Sequence, residues 1–286
     1  MQMSDTDIMV SICCITYNHQ EYIGEALEGF VMQKTNFKFE IIIGEDCSTD
    51  KTRDIIKAYA EKYSNVKLIT SEANVGPNKN AKRVLEAVTG KYIALCDGDD
   101  YWTNELKLQK QVDFLEQNPN YVICCHYCKE VDQAGHALYV SNNPVGLHYS
   151  YNELMINKQA ETSTASMVIR SNDLRELFTK DWYSGCNAVD KFIKLFATSK
   201  SGKKVYVIPE VMSCYRRHQG GIWSMTDAEV LKQRQLSDFN LIIQHFEHTF
   251  FQKVSLLVFY IRRYFLFEVR KSKISNALQT IRSIYN

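Results

Sequence analysis

Between residues 8 and 16 the chain is nearly all apolar and rich in β-branched side chains, the pattern of a strand buried on both faces. Tyr22, Ile23, Ala26, Leu27, Phe30 and Val31 then recur at helical spacing across Glu21–Gln33. Phe39–Gly44 reads as a second buried strand. Ser48, Thr49 and Asp50 offer N-caps for a helix whose inner face is Ile55, Ile56, Tyr59, Ala60 and Tyr63. Val66–Thr70 is a third strand, Asn78–Thr89 a helix with Ala81, Val84, Leu85 and Val88 inward, and Tyr92–Cys96 a fourth strand. This βαβαβαβ order predicts a Rossmann-like α/β architecture, a mostly parallel central sheet with helices on both faces.

The middle of the chain is less regular. Glu105–Gln117 reads as a helix closed by Asn118-Pro119. Tyr121–Cys128 and Thr164–Arg170 read as strands, Asn187–Thr198 as a helix, and Lys204–Tyr215 as two short strands broken by Pro209. After Trp223 the pattern turns to long helices, which sets an expected boundary: a catalytic domain over 1–225 and a helical C-terminal extension over 226–286. In the extension, aromatics interleave with Arg262, Arg263, Arg270 and Lys271. Such a stretch suits peripheral membrane contact through 254–273. It suits better a helix packed on the catalytic domain with its arginines reaching outward.

Composition narrows the classes. Of the 286 residues, 45% are hydrophobic and 23% charged, an ordinary globular profile. A formal net charge of +1 gives no electrostatic footprint for nucleic acid. The nine cysteines, an odd number set mostly in apolar runs, read as small buried hydrophobes of a reducing compartment. The opening MQMSDTDIMV lacks the pattern of a signal peptide. The apolar run Leu256–Ile261 is far shorter than the ~20 residues that span a bilayer. The expected location is cytoplasmic, with peripheral contact at the inner face of the cell membrane if α-helical residues 254–273 provide it.

Acidic residues cluster where strands end. Glu45-Asp46 follows the second strand, and Asp97, Asp99 and Asp100 follow the fourth. Ligands of open α/β sheets bind at that edge. Carboxylates two apart at a strand end suit one hard cation shared with substrate phosphates, and Gly98 between them permits a tight turn. Solvated acidic turns have the same short motif; the apolar strand just before it and the second acidic strand end upstream favour the site.

Five segments in order carry a resemblance: Thr16-Tyr17-Asn18, Glu45-Asp46-Cys47-Ser48-Thr49-Asp50, Asn74-Val75-Gly76, Gly90-Lys91-Tyr92-Ile93-Ala94 and Asp97-Gly98-Asp99-Asp100-Tyr101-Trp102. They resemble the family-two glycosyltransferases. Tyr215-Arg216-Arg217-His218 and Gly220-Gly221-Ile222-Trp223-Ser224 resemble the end of the catalytic domain in the bacterial branch with the GDDYW motif. The resemblance implies a GT-A fold, a nucleoside-diphosphate sugar donor (a UDP-sugar above all), Mn²⁺ or Mg²⁺, and inversion at the anomeric carbon. It also implies a glycan or lipid-linked acceptor in bacterial surface polysaccharide biosynthesis.

Residue by residue, the resemblance implies that Thr16, Tyr17 and Asn18 form the nucleobase loop and that Asp46, beside Glu45, hydrogen-bonds the base. Asp97 faces the ribose and donor sugar, and Asp99 is the metal ligand. Asn80 and Arg83 lie on the helix that approaches the nucleotide; Arg83 reads equally as a surface residue. His218 and Trp223 belong to a segment that closes over the diphosphate, or pack at a domain edge. The base that takes the acceptor proton is expected at Asp190, which opens an amphipathic helix and suits the helix dipole there as well. Glu210 and Asp181 are the fallbacks.

Cys124, His126 and Cys128 share one strand face. They lack a clear fourth zinc ligand, so buried thiols are the expected reading, with His126 as a donor- or acceptor-site residue the alternative. Two other functions compete. A nucleotidyltransferase would show a Gly-rich basic loop after the first strand, where Thr16-Tyr17-Asn18-His19-Gln20 has neither Gly nor Lys. A non-catalytic nucleotide-sugar-binding protein would tolerate loss of the acids, all of which are present.

Overall fold

Strand β1 (Val10–Thr16) lies at the centre of four parallel strands. It pairs with β2 (Phe39–Glu45) on one side and β4 (Tyr92–Leu95) on the other, and β2 pairs with β3 (Val66–Thr70). The crossovers are α1 (Ile23–Val31), α2 (Thr52–Lys62) and α3 (Pro77–Glu86). The computed structural model describes residues 7–221 and 226–270. This half matches the element order predicted from periodicity, with ends shifted by a few residues.

The other half is mixed. It comprises β5 (Tyr101–Trp102), α4 (Lys107–Gln117), β6 (Tyr121–Val131), β7 (Ala137–Tyr139), β8 (Leu147–Tyr149), α5 (Tyr151–Met155), β9 (Val168–Arg170), α6 (Val189–Ser201) and β10 (Lys204–Arg216). The sheet runs β3-β2-β1-β4-β9-β6-β10-β5, with β7 on β6 and β8 on β10. Strand β9 is antiparallel to both β4 and β6, and it joins the two parallel sets. The expected strand over Thr164–Arg170 is thus a 3₁₀ turn followed by three strand residues. The expected break at Pro209 is not a break. One strand continues through it, and the register against β6 slips between Ile208 and Val211. Proline cannot donate to the ladder, so a bulge takes up the missing bond.

Two cores cover the sheet. Ile23, Leu27 and Phe30 of α1, Ile56 of α2, and Leu108, Val112 and Leu115 of α4 pack on one face. Val84 and Leu85 of α3, Phe192 and Leu195 of α6, and residues of two later helices pack on the other. Those helices are α7 (Ala228–His245) and α8 (Phe250–Arg270). Helix α8 packs through the stripe Leu256, Tyr260 and Tyr264, while Phe250, Phe251, Val258 and Leu266 stay exposed. Both alternatives for this helix therefore keep a face; residues 271–273 lie outside the described residues. No described helix is long and apolar enough to cross a membrane.

All nine cysteines are free, and eight are buried. Cys125 and Cys128 stand at C-x-x-C spacing on β6, but alternation along a strand turns them to opposite faces. Cys128 Sγ lies 2.8 Å from Ser163 Oγ and 2.9 Å from Ser213 Oγ. His126 Nδ1 lies 2.9 Å from the Tyr127 carbonyl oxygen. These side chains behave as packed core, not as one of the described metal-holding groups.

Candidate active site

A cavity of ≈ 960 Å³ opens at the C-terminal ends of β1, β2 and β4. Its walls include Thr16, Asp46, Asp97, Asp99 and Asp190. The sheet delivers these residues because parallel strands point all their carboxyl ends the same way.

The acidic turn after β4 is held from two sides. Gly98 N donates to the Ile15 carbonyl at 3.0 Å, so the turn runs alongside the end of β1. A Cβ at Gly98 would fall 2.6 Å from Thr16 Oγ1, which is why glycine is needed. From the far edge, buried Arg216 at the end of β10 donates its backbone N–H to Asp100 Oδ1 at 2.8 Å. Its Nε donates to the Asp99 carbonyl at 3.1 Å. Its guanidinium also pairs with Glu25 and stacks near the Tyr22 and Tyr101 rings. Arg216 organises the turn, and sequence reading quoted it only as part of a motif.

Asp99 is the meeting point. His218 Nε2 lies 3.0 Å from Asp99 Oδ2, and His19 Nε2 lies 3.9 Å from the same oxygen. The ligand atoms of His19, Asp99 and His218 fall within 4.8 Å of one another, as do those of Asp97, Asp99 and Asp100. Burial, then the charges of Asp99 and Asp190, push Asp97 up to about 8. Asp100 is driven well up by burial and by Asp99 and Asp97. Burial also raises Asp99, but the His218 hydrogen bond and the two imidazoles outweigh it and hold Asp99 below the usual carboxylate range. Burial lowers His19, which favours the neutral imidazole.

A divalent cation fits these residues on three counts. Carboxylates crowded in low dielectric repel one another, and a cation relieves that. A neutral imidazole is a ligand, and carboxylate with imidazole suits a first-row ion such as Mn²⁺. Finally, His19 Nδ1 and Thr16 Oγ1 are buried with no hydrogen-bond partner, an arrangement that folding alone rarely leaves. His19 was missed in sequence reading. Only 3D proximity brings it within reach of a residue 80 positions away.

Some expected contact residues hold the scaffold instead of lining the cavity. Asn18 adopts a positive φ of 54°, and its Oδ1 accepts from Thr49 N at 2.8 Å. Glu45 is fully buried, accepting from Ser48 N and pairing with Arg53. Asn80 reaches the cavity, but its Nδ2 donates to the Gly44 carbonyl at 2.7 Å. Arg83 donates to the Thr70 carbonyl and to Asn80 Oδ1, and does not line the cavity. Asp46 lines it, and its two oxygens accept from Val75 N and Gly76 N, both at 2.9 Å. Gly76 there has φ +86°, open to glycine alone without strain. Tyr17 is 40% exposed at the mouth. Trp223 lies outside the described residues, which skip 222–225.

Asp190 stands across the cavity on the first turn of α6. Its Oδ2 accepts from Lys194 Nζ at 2.8 Å, and Lys194 is itself buried and anchored on Thr162. Asp238 of α7 caps this helix from outside, accepting from Asn187 N at 2.8 Å and Ala188 N at 3.0 Å. Neither Lys194 nor Asp238 was singled out by sequence. Glu210 pairs with Lys110, and neither Glu210 nor Asp181 lines the cavity.

The Glycosyl transferase family 2 model matches residues 11–177, more than half of the chain. An uncharacterized protein of Mycobacterium tuberculosis is 36% identical over 220 residues, covering 75% of this chain and 60% of that protein. The chain thus spans about 60% of the length of its first curated relatives. Poly(ribitol-phosphate) beta-N-acetylglucosaminyltransferase TarS of Staphylococcus aureus is 32% identical over 115 residues, 40% of this chain and 20% of TarS. The crystal structure of TarS 1-349 with UDP-GlcNAc superposes with a TM-score of 0.70 at 20% identity, covering 97% of this chain and 82% of that one. A mannosyltransferase of Pyrobaculum calidifontis, in complex with GDP-Man and Mn²⁺, superposes with a TM-score of 0.61 at 16% identity, covering 96% and 75%.

Proposed function

Because the chain belongs to glycosyl transferase family 2 and carries the GT-A fold, we propose that it is an inverting, metal-dependent transferase of a sugar from a UDP-sugar to a glycan or lipid-linked acceptor. The acceptor belongs, on this reading, to a bacterial surface polysaccharide. The observation that carries it is one cavity lined by the Asp97–Asp99 turn on one side and Asp190 on the other. Solved neighbours hold UDP-GlcNAc, or GDP-Man with Mn²⁺, on the same fold.

In this mechanism Asp99 with His218 and His19 would hold the Mn²⁺ or Mg²⁺. When bound, the ion neutralises the diphosphate as it departs. Thr16, Tyr17 and Asp46 bind the nucleoside end, and Asp97 faces the sugar. Asp190 takes the acceptor proton at attack, held in place by Lys194 below and by the Asp238 cap of its helix. The exposed apolar residues of α8 support peripheral membrane contact, which would bring a lipid-linked acceptor to the cavity. We keep the catalytic unit at 1–225 and the extension at 226–286, whose described part, 226–270, holds α7 and α8.

A donor panel tests the reading: purified protein with Mn²⁺ and UDP-, GDP- and other nucleotide sugars, scored for thermal shift and hydrolysis. Ligand at 100-fold its Kd adds about 2.7 kcal/mol of stability. A UDP-sugar is expected to raise Tm only with metal; no shift with any nucleotide sugar defeats the proposal.

Asp46→Ala is expected to weaken UDP binding by about 1–3 kcal/mol, the cost of losing a hydrogen bond to a charged group. It also frees the Val75 and Gly76 amides, so their hydrogen exchange speeds up. Calorimetry with UDP checks the first effect; unchanged affinity with faster exchange makes Asp46 a loop anchor alone.

A further inference from the structure

The cavity is electrically two-sided. The strand-end wall carries Asp46, Asp97, Asp99 and Asp100, whereas the wall built by α6, α7 and α8 carries Lys191, Arg234 and Arg263. Two acids share that second wall: Asp190 of α6, whose Oδ2 accepts from Lys194 Nζ, and Asp238 of α7, whose oxygens already serve Asn187 and Ala188 at the start of α6.

Lys191 is the telling residue. The residue is only 6% exposed, yet its Nζ donates at 2.8 Å to a neutral group, the Tyr260 hydroxyl. A buried ammonium is costly unless an anion accompanies it. Burial pulls Lys191 down to about 8 against the opposing charges of Asp238 and Asp190, and the nearby Arg263 pulls the same way as burial. Arg263 is exposed on α8, beside the Phe259 ring that also lines the cavity. Folding has thus brought three cations, one each from α6, α7 and α8, to the lining of the cavity that the acidic turn also lines.

We infer that this wall is a subsite for a phosphate carried by the acceptor, bound by Lys191, Arg234 and Arg263 together with the Tyr260 hydroxyl. The inference rests on the reading of the cavity as a donor-and-acceptor site and deepens it. The acidic turn repels a second anion at its own end. The cationic wall therefore orients an acceptor phosphate away from the metal side, with its hydroxyl toward Asp190. Guanidinium groups suit this role because they grip phosphate oxygens in pairs.

The test uses the full chain with UDP and Mn²⁺ saturating the donor end. Glycerol 1-phosphate, farnesyl phosphate and glycerol are titrated into wild type, Arg263→Gln, Arg234→Gln and Lys191→Met. Circular dichroism and Tm check each fold, and UDP affinity is measured on the same samples. Expected is saturable binding of both phosphates, none of glycerol, and a ten- to hundred-fold weakening in Arg263→Gln with UDP affinity unchanged. Tighter binding of farnesyl phosphate than of glycerol 1-phosphate points to a lipid-borne phosphate; equal binding points to one on a soluble glycan. Folded Arg263→Gln and Lys191→Met proteins that bind both phosphates as wild type does overturn the subsite. If UDP fails to bind wild type while phosphate binding still depends on Arg263, the donor reading falls and the anion subsite stands.

Discussion

Replacing Asp99 with alanine is expected to abolish transfer and to remove the metal dependence of nucleotide binding while the fold survives. Among the described residues, Asp99 is shared by both groups of side chains that could hold a cation, and neither group has another member in common. Loss of metal assistance costs several kcal/mol of transition-state stabilisation, and about 4 kcal/mol is ~10³-fold in rate. The fold survives because Arg216 grips the turn through the Asp99 carbonyl and the Asp100 carboxylate, not through the Asp99 side chain. Removing one of three crowded carboxylates also relieves the repulsion that raises Asp97 and Asp100. The measurement is transfer across a Mn²⁺ series and in chelator, with UDP calorimetry in both. An Asp99→Ala protein that is fully active in chelator would sink the assignment.

Asp190→Asn is expected to lower kcat by about 10²–10⁴-fold, the usual worth of a general base, and to leave the donor KM within a few-fold. A base acts in the transition state, so its loss spares ground-state binding. Asparagine is nearly isosteric and still offers an oxygen to Lys194 Nζ, so the buried lysine keeps a partner. The helix start is capped from α7 by Asp238 and does not need the lost charge. Slow donor hydrolysis by water persists, since it needs no activated acceptor. Steady-state transfer and UDP affinity on one preparation decide the matter. Transfer within a few-fold of wild type removes Asp190 from the role. Glu210, paired with Lys110 away from the cavity, is then a poor replacement. Loss of donor binding would instead make Asp190 a donor-site residue.

What sequence could show and what it could not divides along a physical line. Periodicity is local: a strand buried on both faces must be apolar throughout, and a helix on a sheet must repeat every three to four residues. The first four strands, their crossover helices and the acids at the strand ends were therefore legible, and so was Asp190 at the head of α6. Contacts between distant segments depend on strand order, which periodicity does not encode. The antiparallel β9 inserted between β4 and β6 is one such case. Another is the joining of His19 and His218 at Asp99, from opposite ends of the catalytic region. Likewise, Glu45 and Asp46 look alike in sequence. The fold alone turns Glu45 into the core against Arg53, whereas Asp46 reaches the cavity while holding the Val75-Gly76 turn. The long helices after residue 226 were readable as helices. That Tyr260 meets Lys191 and that Asp238 caps α6 was decided by packing, because only docking α7 and α8 on the sheet brings their side chains to the cavity wall.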